Sequence, residues 1–361
     1  MKKLRLIVIG PLPPPTHGVA ISTSLVLANP LLAERFSVVH LDTSDRRSRQ
    51  NIGKWDATNI VIGLRNAVRL VALLRGEPGV VYLPLSQSVP AMVRDSLFIH
   101  LAALGGWRVA AHLRGSEFKE VYQRRGRPLQ FWLRLTLRRV HSIAVMGTSL
   151  RPVFEGLAPS DRIAVVPNGT PDPRLDGAAR DPHTVLFLSN LRRRKGVVEA
   201  LEAALLVLRE DRDARFLFAG DWEEAELERS LRARAAEANG RISFLGPAGR
   251  KEKDRLLGSA AILLFPPREP EGHPRVVLEG LAAGLPVVTT DRGAIAESVG
   301  DAGFVLPDPA PRELADRIVV LLRDAGLRGR MSRAARRRYL ERFTQDQADR
   351  RLADWLEKVA S

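Results

Sequence analysis

The sequence of 361 residues contains no cysteine. Disulfides, thiolate metal sites and cysteine nucleophiles are thereby excluded, and a reducing cytoplasm fits. No apolar run reaches the ~18 residues that mark a membrane-spanning helix. Aromatic residues make up only 6% of the chain, and no recognised nucleic-acid motif is present. A nucleic-acid-binding module is therefore the weaker reading, and no nucleic-acid partner is expected. The chain also lacks a G-x-G-x-x-G after its first strand, so it carries no dinucleotide fingerprint. Carboxylates are outnumbered, 41 against 56 Lys and Arg, for a formal charge of +15. Only eight of the basic residues are lysine. An arginine excess of this kind fits nucleic acid, an anionic membrane surface, an acidic substrate or simply the codon bias of a GC-rich genome.

The hydrophobic content, 45%, is that of a soluble globular protein, and the length exceeds one ordinary core, so two domains are expected. The start, MKKLRLIVIG, has the basic and apolar parts of a signal peptide. It runs into GPLPPP without a small-residue cleavage site, and a first β-strand over 4–10 is the better reading.

The chain is organised around residues 260–290, AAILLFPPREPEGHPRVVLEGLAAGLPVVTT. A short buried strand over 261–265 leads into a proline-rich loop. Pro274 stands at the first position expected of a helix, Gly284 at its stop, and 285–290 is the next strand. The loop thus joins the carboxyl end of a parallel strand to a helix N-terminus, where open α/β sheets bind ligands. Glu271 precedes the helix and Glu279 lies within it, eight residues on. That spacing is slightly over two turns, so Glu279 points roughly back toward the helix entry. A ligand along that face could touch both, with its phosphate at the helix N–H groups. By itself the spacing also fits a loop glutamate and a helix glutamate in a salt bridge.

The stretch EGHPRVVLEGLAAGLPVV resembles EGFGLVLLEAMAAGLPVV, the E-x7-E signature of retaining GT-B glycosyltransferases of family 4. The resemblance implies that Glu271 reaches the donor sugar and Glu279 the nucleotide ribose. Pro274 replaces a glycine whose N–H faces the donor in that family. A proline has no N–H, so the neighbouring amides of His273 and Arg275 are left to bind the donor, with Gly272 also among the donor-binding residues implied.

Other segments extend the resemblance. GPLPPPTHG places Gly18 where the family's glycine approaches the donor phosphates. TVLFLSN followed by LRRRKG places Lys195 on the diphosphate, while Asn190 stands where an arginine is expected. Arg192, Arg193 and Arg194 could compensate electrostatically. The strand WRVAAHL brings His112 to the family's histidine position and Arg114 to its second one. Alternation puts both on one face, and Arg114, which cannot serve as a base, could hold phosphate or an acidic acceptor. A lone strand histidine also fits a core residue. IAVVPNG at 163–169 and DRGAIAESV at 291–299 follow the same family pattern.

The fold implied is α/β with GT-B architecture, two Rossmann-like domains facing across a cleft. Residues 1–175 form the acceptor side, 184–335 the nucleotide-sugar side, and 336–361 a helix crossing back to the first domain. Residues 170–183 read as the linker. The activity implied is retaining transfer of a hexose from a UDP- or GDP-sugar to a hydroxyl of a glycan or lipid-linked acceptor, in cell-envelope polysaccharide synthesis. No cofactor is expected: no Asp-x-Asp stands at a suitable strand end, in agreement with a metal-independent site. The departures at Asn190, Arg114 and Pro274 keep open a relative that binds sugar nucleotides without transferring them. The basic loop 45–55, with Arg46, Arg47, Arg49 and Lys54, reads as solvated or as a site for an anionic headgroup. The helix 128–140 has Leu129, Trp132, Leu133, Leu137 and Val140 on its core stripe, with Phe131 and Leu135 beside arginines. It reads as an ordinary domain helix or an interfacial one, the latter placing a cytoplasmic protein peripherally at the inner membrane face.

Overall fold

Each strand is a short, mostly aliphatic run paired in parallel with its neighbours, as expected where helices cover both faces of a sheet. A computed structural model describes residues 3–15, 17–47, 51, 55–175 and 180–361. The chain divides into two units, residues 1–167 with 348–361, and residues 168–347.

The first unit holds strands β1 Leu4–Gly10, β2 Phe36–Asp42, β3 Val80–Leu85, β4 Arg108–Leu113, β5 Ser142–Val145 and β6 Ile163–Val165. Their order in the sheet is β2-β1-β3-β4-β5-β6. Its helices are α1 Gly18–Ala28, α2 Pro30–Arg35, α3 Ala57–Leu73, α4 Val89–Leu104, α5 Phe118–Gln123 and α6 Arg127–Arg138. The chain moves outward from β1 to β2 and then returns across to β3. The carboxyl ends of β1 and β3 therefore flank a topological switch point, where such sheets open a crevice.

The second unit repeats the plan with β7 Thr184–Leu188, β8 Arg215–Ala219, β9 Ile242–Gly246, β10 Ile262–Phe265, β11 Val287–Thr290 and β12 Gly303–Leu306. The order is β12-β11-β10-β7-β8-β9, so its switch point lies between β7 and β10. Its helices are α7 Val197–Glu210, α8 Ala225–Ala235, α9 Arg250–Ser259, α10 Arg275–Ala282, α11 Ile295–Val299, α12 Pro311–Arg323 and α13 Ala325–Arg342. Val185, Phe187 and Phe216 face one helical layer, while Leu186, Leu263 and Val287 face the other.

The final helix, α14 Gln345–Ala360, buries Leu352, Trp355, Leu356 and Val359 against Leu6, Val8 and Tyr82 of the first unit. Burial of side chains of this size contributes about 1.5–3 kcal/mol each, enough to hold residues 348–361 there. Within the span 336–361, only the part from Ala348 on joins that unit. Residues 336–342 end α13, which packs on α10.

The proline-rich segment expected to link the halves is bound to the second unit. Thr170 N–H donates to Phe343 O at 3.0 Å, Tyr339 Oη donates to Thr170 O at 3.1 Å, and Arg336 holds Asp172 through two bonds of 2.6 Å. Residues 176–179 of that segment lie outside the described residues. In the basic loop, Arg46 pairs with Asp42, and Arg47 with Asp45 and Asp56. Arg49 and Lys54 lie outside the described residues.

In α6 the expected core stripe needs one correction. Leu133, Thr136 and Leu137 are buried, but Trp132 is 42% exposed. Its ring lies 4.8 Å from that of His100 on α4, so it rests against α4 with part of its surface left open.

Candidate functional site

Two loops meet at the switch point of the second unit, one after β7 and one after β10. The first carries Asn190, half-buried two residues beyond β7, then a single 3-10 turn over Arg193–Lys195. Gly196 follows with φ +78° and caps α7. A Cβ there would lie 1.8 Å from Pro266 O, so only glycine lets this turn pack against the β10 loop. The second carries Glu271 and Gly272 and then enters α10. Gly293, φ +61°, repeats the device from below, where a Cβ would lie 1.9 Å from Glu271 O.

The two loops are joined by an ion pair. Lys195 Nζ donates to Glu271 Oε1, and both side chains are mostly shielded, 20% and 14% exposed. A second pair follows on α10, where Lys253 of α9 donates to Glu279 Oε1 at 2.5 Å. Read from sequence, the glutamates were either ligand groups or ion-paired. In the structure they are ion-paired, each to a lysine from a different element. The site thus presents two carboxylates and two ammonium groups, a set that can bind an anion and hydroxyl groups together.

α10 begins at Arg275, with Pro274 as its cap in extended conformation, one residue earlier than the expected helix position. The reason lies in the neighbour. His273 is 5% exposed; Asn168 N–H donates to its Nδ1 at 3.1 Å, and its Nε2 lies 2.9 Å from Ser298 Oγ. With Nδ1 accepting, the ring is neutral and Nε2–H donates. Asn168 Nδ2 donates to His273 O at 2.9 Å, and Arg275 donates to Gly169 O at 2.9 Å. The imidazole and guanidinium therefore fix the loop's shape and orient its backbone. Of the compensating arginines, Arg192 is buried with its Nε 2.8 Å from Glu223, and Arg193 lies 3.9 Å from Glu224.

In the first unit a cavity of about 480 Å³ opens at the switch point between β1 and β3. It is lined by Gly10, His17, Leu85, Gln87 and Arg114 from the strand ends and the loops after them, and by Ile60, Leu64, Val93 and Leu97 from α3 and α4. Gly18 starts α1 beside it and is exposed; a Cβ there would meet nothing within 4 Å. His112 lies beneath, 1% exposed. Its Nδ1 is 3.2 Å from Tyr82 Oη, to which Arg114 also donates at 2.8 Å. Burial, helped by the Arg114 charge, pushes the His112 imidazole well below its usual range. His112 and Arg114 are thus brought together through Tyr82, but only Arg114 reaches the cavity. His112 and Trp355 of α14 stand edge to face, 5.7 Å apart.

Sequence reasoning passed over Lys253, Tyr82 and the role of Asn168. Lys253 lies 26 residues before Glu279, in a helix whose surface face is charged throughout, and nothing local distinguishes it. The PNG end of 167–169 was the available signal for Asn168.

Residues 173–338 match the family described as Glycosyl transferases group 1, a span that includes Lys195, Glu271 and Glu279. The phosphatidyl-myo-inositol mannosyltransferase of Mycolicibacterium smegmatis is 32% identical over 205 residues, 54% of this chain and 52% of that protein. The chain thus spans about half the length of the curated relatives it matches. A glycosyltransferase from Rickettsia africae has a similar structure, with a TM-score of 0.79 at 16% identity over 99% of both chains. Anabaena Alr3699/HepE, solved with UDP and glucose, gives 0.74 at 16% identity over 98% of this chain and 100% of that one. The chain has the α/β two-domain GT-B fold of these glycosyltransferases.

Proposed function

We propose that the protein is a retaining glycosyltransferase that moves a hexose from a UDP- or GDP-sugar to a hydroxyl of a glycan or lipid-linked acceptor. The observation that carries this reading is the joining of Lys195 to Glu271 across the β7–β10 switch point, on the stretch that matches the sugar-transferring family. The anionic diphosphate of a donor would draw the Lys195 ammonium, and the entry of α10 would supply backbone N–H groups and the positive end of a helix dipole. Glu271, released from Lys195, accepts from the hexose hydroxyls. Glu279, beside Lys253, accepts from the ribose. Gly18, with no side chain, would leave its own loop open to a phosphate, and Arg114 would hold an anionic acceptor group.

In the reaction the bond from the anomeric carbon to the phosphate oxygen breaks and one to the acceptor oxygen forms on the same face. The acceptor's proton passes to the departing phosphate. Stabilising that phosphate by fixed positive groups is the main task of the site, and the residues named here would do so without a resident metal. His112, shielded and neutral, acts on Arg114 through Tyr82 as a positioning residue. The relatives include a mannosyltransferase whose name specifies a phospholipid acceptor, which favours an envelope lipid or polysaccharide intermediate.

The test is nucleoside diphosphate release from UDP- and GDP-hexoses, with and without a membrane lipid extract as acceptor. Release that depends on the extract, with product of the donor's anomeric configuration, supports the proposal. Donor binding with no release under any acceptor would indicate a sugar-nucleotide-binding relative instead.

A further inference from the structure

The helices that cover one face of the first sheet have an unusual exterior. α3 exposes Ile60, Val61, Leu64, Val68 and Val71, with Val61 63% and Val68 71% exposed. α4, which packs against both α3 and α6, exposes Val93, Leu97 and Leu104 along its outer row. α6 adds Phe131 and Trp132. Of the five tryptophans only Trp55, just before α3, and Trp132 are exposed, and both belong to this face. No helix here is long and apolar enough to cross a membrane among the described residues. The apolar groups are spread over the outsides of three helices.

Charge on this face is of one sign. Residues 57–73 and 127–138 contain arginines and no carboxylate. Arg65 and Arg69 are exposed between the aliphatic rows of α3. The one carboxylate of α4, Asp95, is buried and bonded to Arg94 at 2.7 Å. Interleaved arginine and aliphatic groups, exposed tryptophans and the lack of carboxylates on α3 and α6 suit the headgroup region of an anionic bilayer. The cavity connects with this surface, because the exposed Ile60, Leu64, Val93 and Leu97 also line it. Its volume of about 480 Å³ is in the range of small-molecule sites.

We infer that the α3–α4–α6 face docks on an anionic lipid bilayer and that the cavity beneath it receives the apolar part of a membrane-borne acceptor. The docking part stands alone; the acceptor part rests on the proposed transferase function. Lipid would enter between α3 and α4 and reach with its polar end toward Gln87 and Arg114 at the strand ends. This accounts for a cavity lined by aliphatic side chains of α3 and α4 together with Gln87 and Arg114.

The test uses the full chain and phosphatidylcholine vesicles with or without phosphatidylglycerol. Sedimentation with the anionic vesicles alone is expected, reduced at least about tenfold in the double variant V61E/V68E. These two residues do not line the cavity, so the variant should melt as the parent does and bind nucleoside diphosphate equally. Monomeric short-chain phosphatidylglycerol should bind the parent and V61E/V68E alike, but about tenfold more weakly to Ala91→Trp, which fills the cavity. Ala91→Leu serves if the larger residue prevents folding. No preference for anionic vesicles overturns the docking, as does a dimer in light scattering that V61E/V68E splits. Unchanged short-chain lipid binding in the filled variants overturns the cavity's role. Vesicle binding without any nucleotide binding would instead count against the transferase reading and leave the docking surface in place.

Discussion

Lys195 and Glu271 are 76 residues apart in sequence and share a hydrogen-bonded ion pair across the two loops of the second switch point. Both side chains are largely shielded, so removing one leaves the other poorly compensated. Lys195→Ala should destabilise the second unit by about 1–3 kcal/mol, the usual cost of leaving a largely buried charged group unpaired, and weaken donor binding by roughly tenfold to a hundredfold. Denaturant melts and a nucleotide titration of the same variant read both effects. Lys195→Arg should recover stability better than binding, because a planar guanidinium replaces the point charge.

The glycines flanking the pair yield a steric prediction. Gly196 and Gly293 have positive φ and no room for a Cβ. Gly293→Ala must push the Glu271 carbonyl aside, so a loss of about 2–4 kcal/mol is expected. Gly18 is the opposite case, since its Cβ would meet nothing. Gly18→Ala should leave the melting temperature unchanged or slightly higher, while Gly18→Leu should impair donor use if phosphate passes there. A Gly18→Leu variant with wild-type donor affinity and turnover would remove Gly18 from the site.

His273 gives a third. Its ring accepts from Asn168 N–H and donates to Ser298 Oγ, and both groups are buried with it. His273→Ala should cost about 1–3 kcal/mol by orphaning them. Because the ring is neutral and fully used, the pH profile of turnover should not change in a variant that keeps both bonds, such as His273→Gln. Loss of an ionisation from the profile would show that the ring titrates in catalysis.

His112 sets a pH dependence. Its imidazole is held neutral in the fold by burial and by Arg114, while in the unfolded chain it titrates near 6.5. The unfolded state therefore binds the extra proton, and this contribution to stability is complete above about pH 6.5 and is lost progressively below it. Melting between about pH 7.5 and 5 should fall less steeply for His112→Leu than for the parent. Equal slopes would place the acid sensitivity elsewhere.

Much of this architecture was legible in the sequence. Aliphatic runs such as 262–265 and 287–290 are the strands, since a parallel sheet buried on both faces leaves no alternation to misread. The E-x7-E stretch pointed to Glu271 and Glu279 and, through the β7 loop, to Lys195. What was not legible depends on tertiary pairing. Nothing near Lys253 shows that it reaches Glu279, and nothing in WRVAAHL shows that His112 turns inward while Arg114 reaches a cavity. Trp132 fitted the core stripe by period, yet it is 42% exposed beside His100 of α4, because period alone does not tell which neighbours a helix meets. The exposed side of α3 was missed for a related reason: its aliphatic residues occur all round the helix, and only the packing of Asn66, Ala67 and Leu70 tells which side faces inward.

The central claim is that the second unit binds a sugar nucleotide through Lys195 and the two glutamates. Calorimetric titration of UDP, GDP and their hexose conjugates into the full chain, with a metal chelator present, tests it most directly. The account predicts binding of one nucleotide series, weakened about tenfold or more by Glu279→Gln and by Lys195→Ala. Equal affinity in the parent and both variants, or no binding of any member, would contradict it.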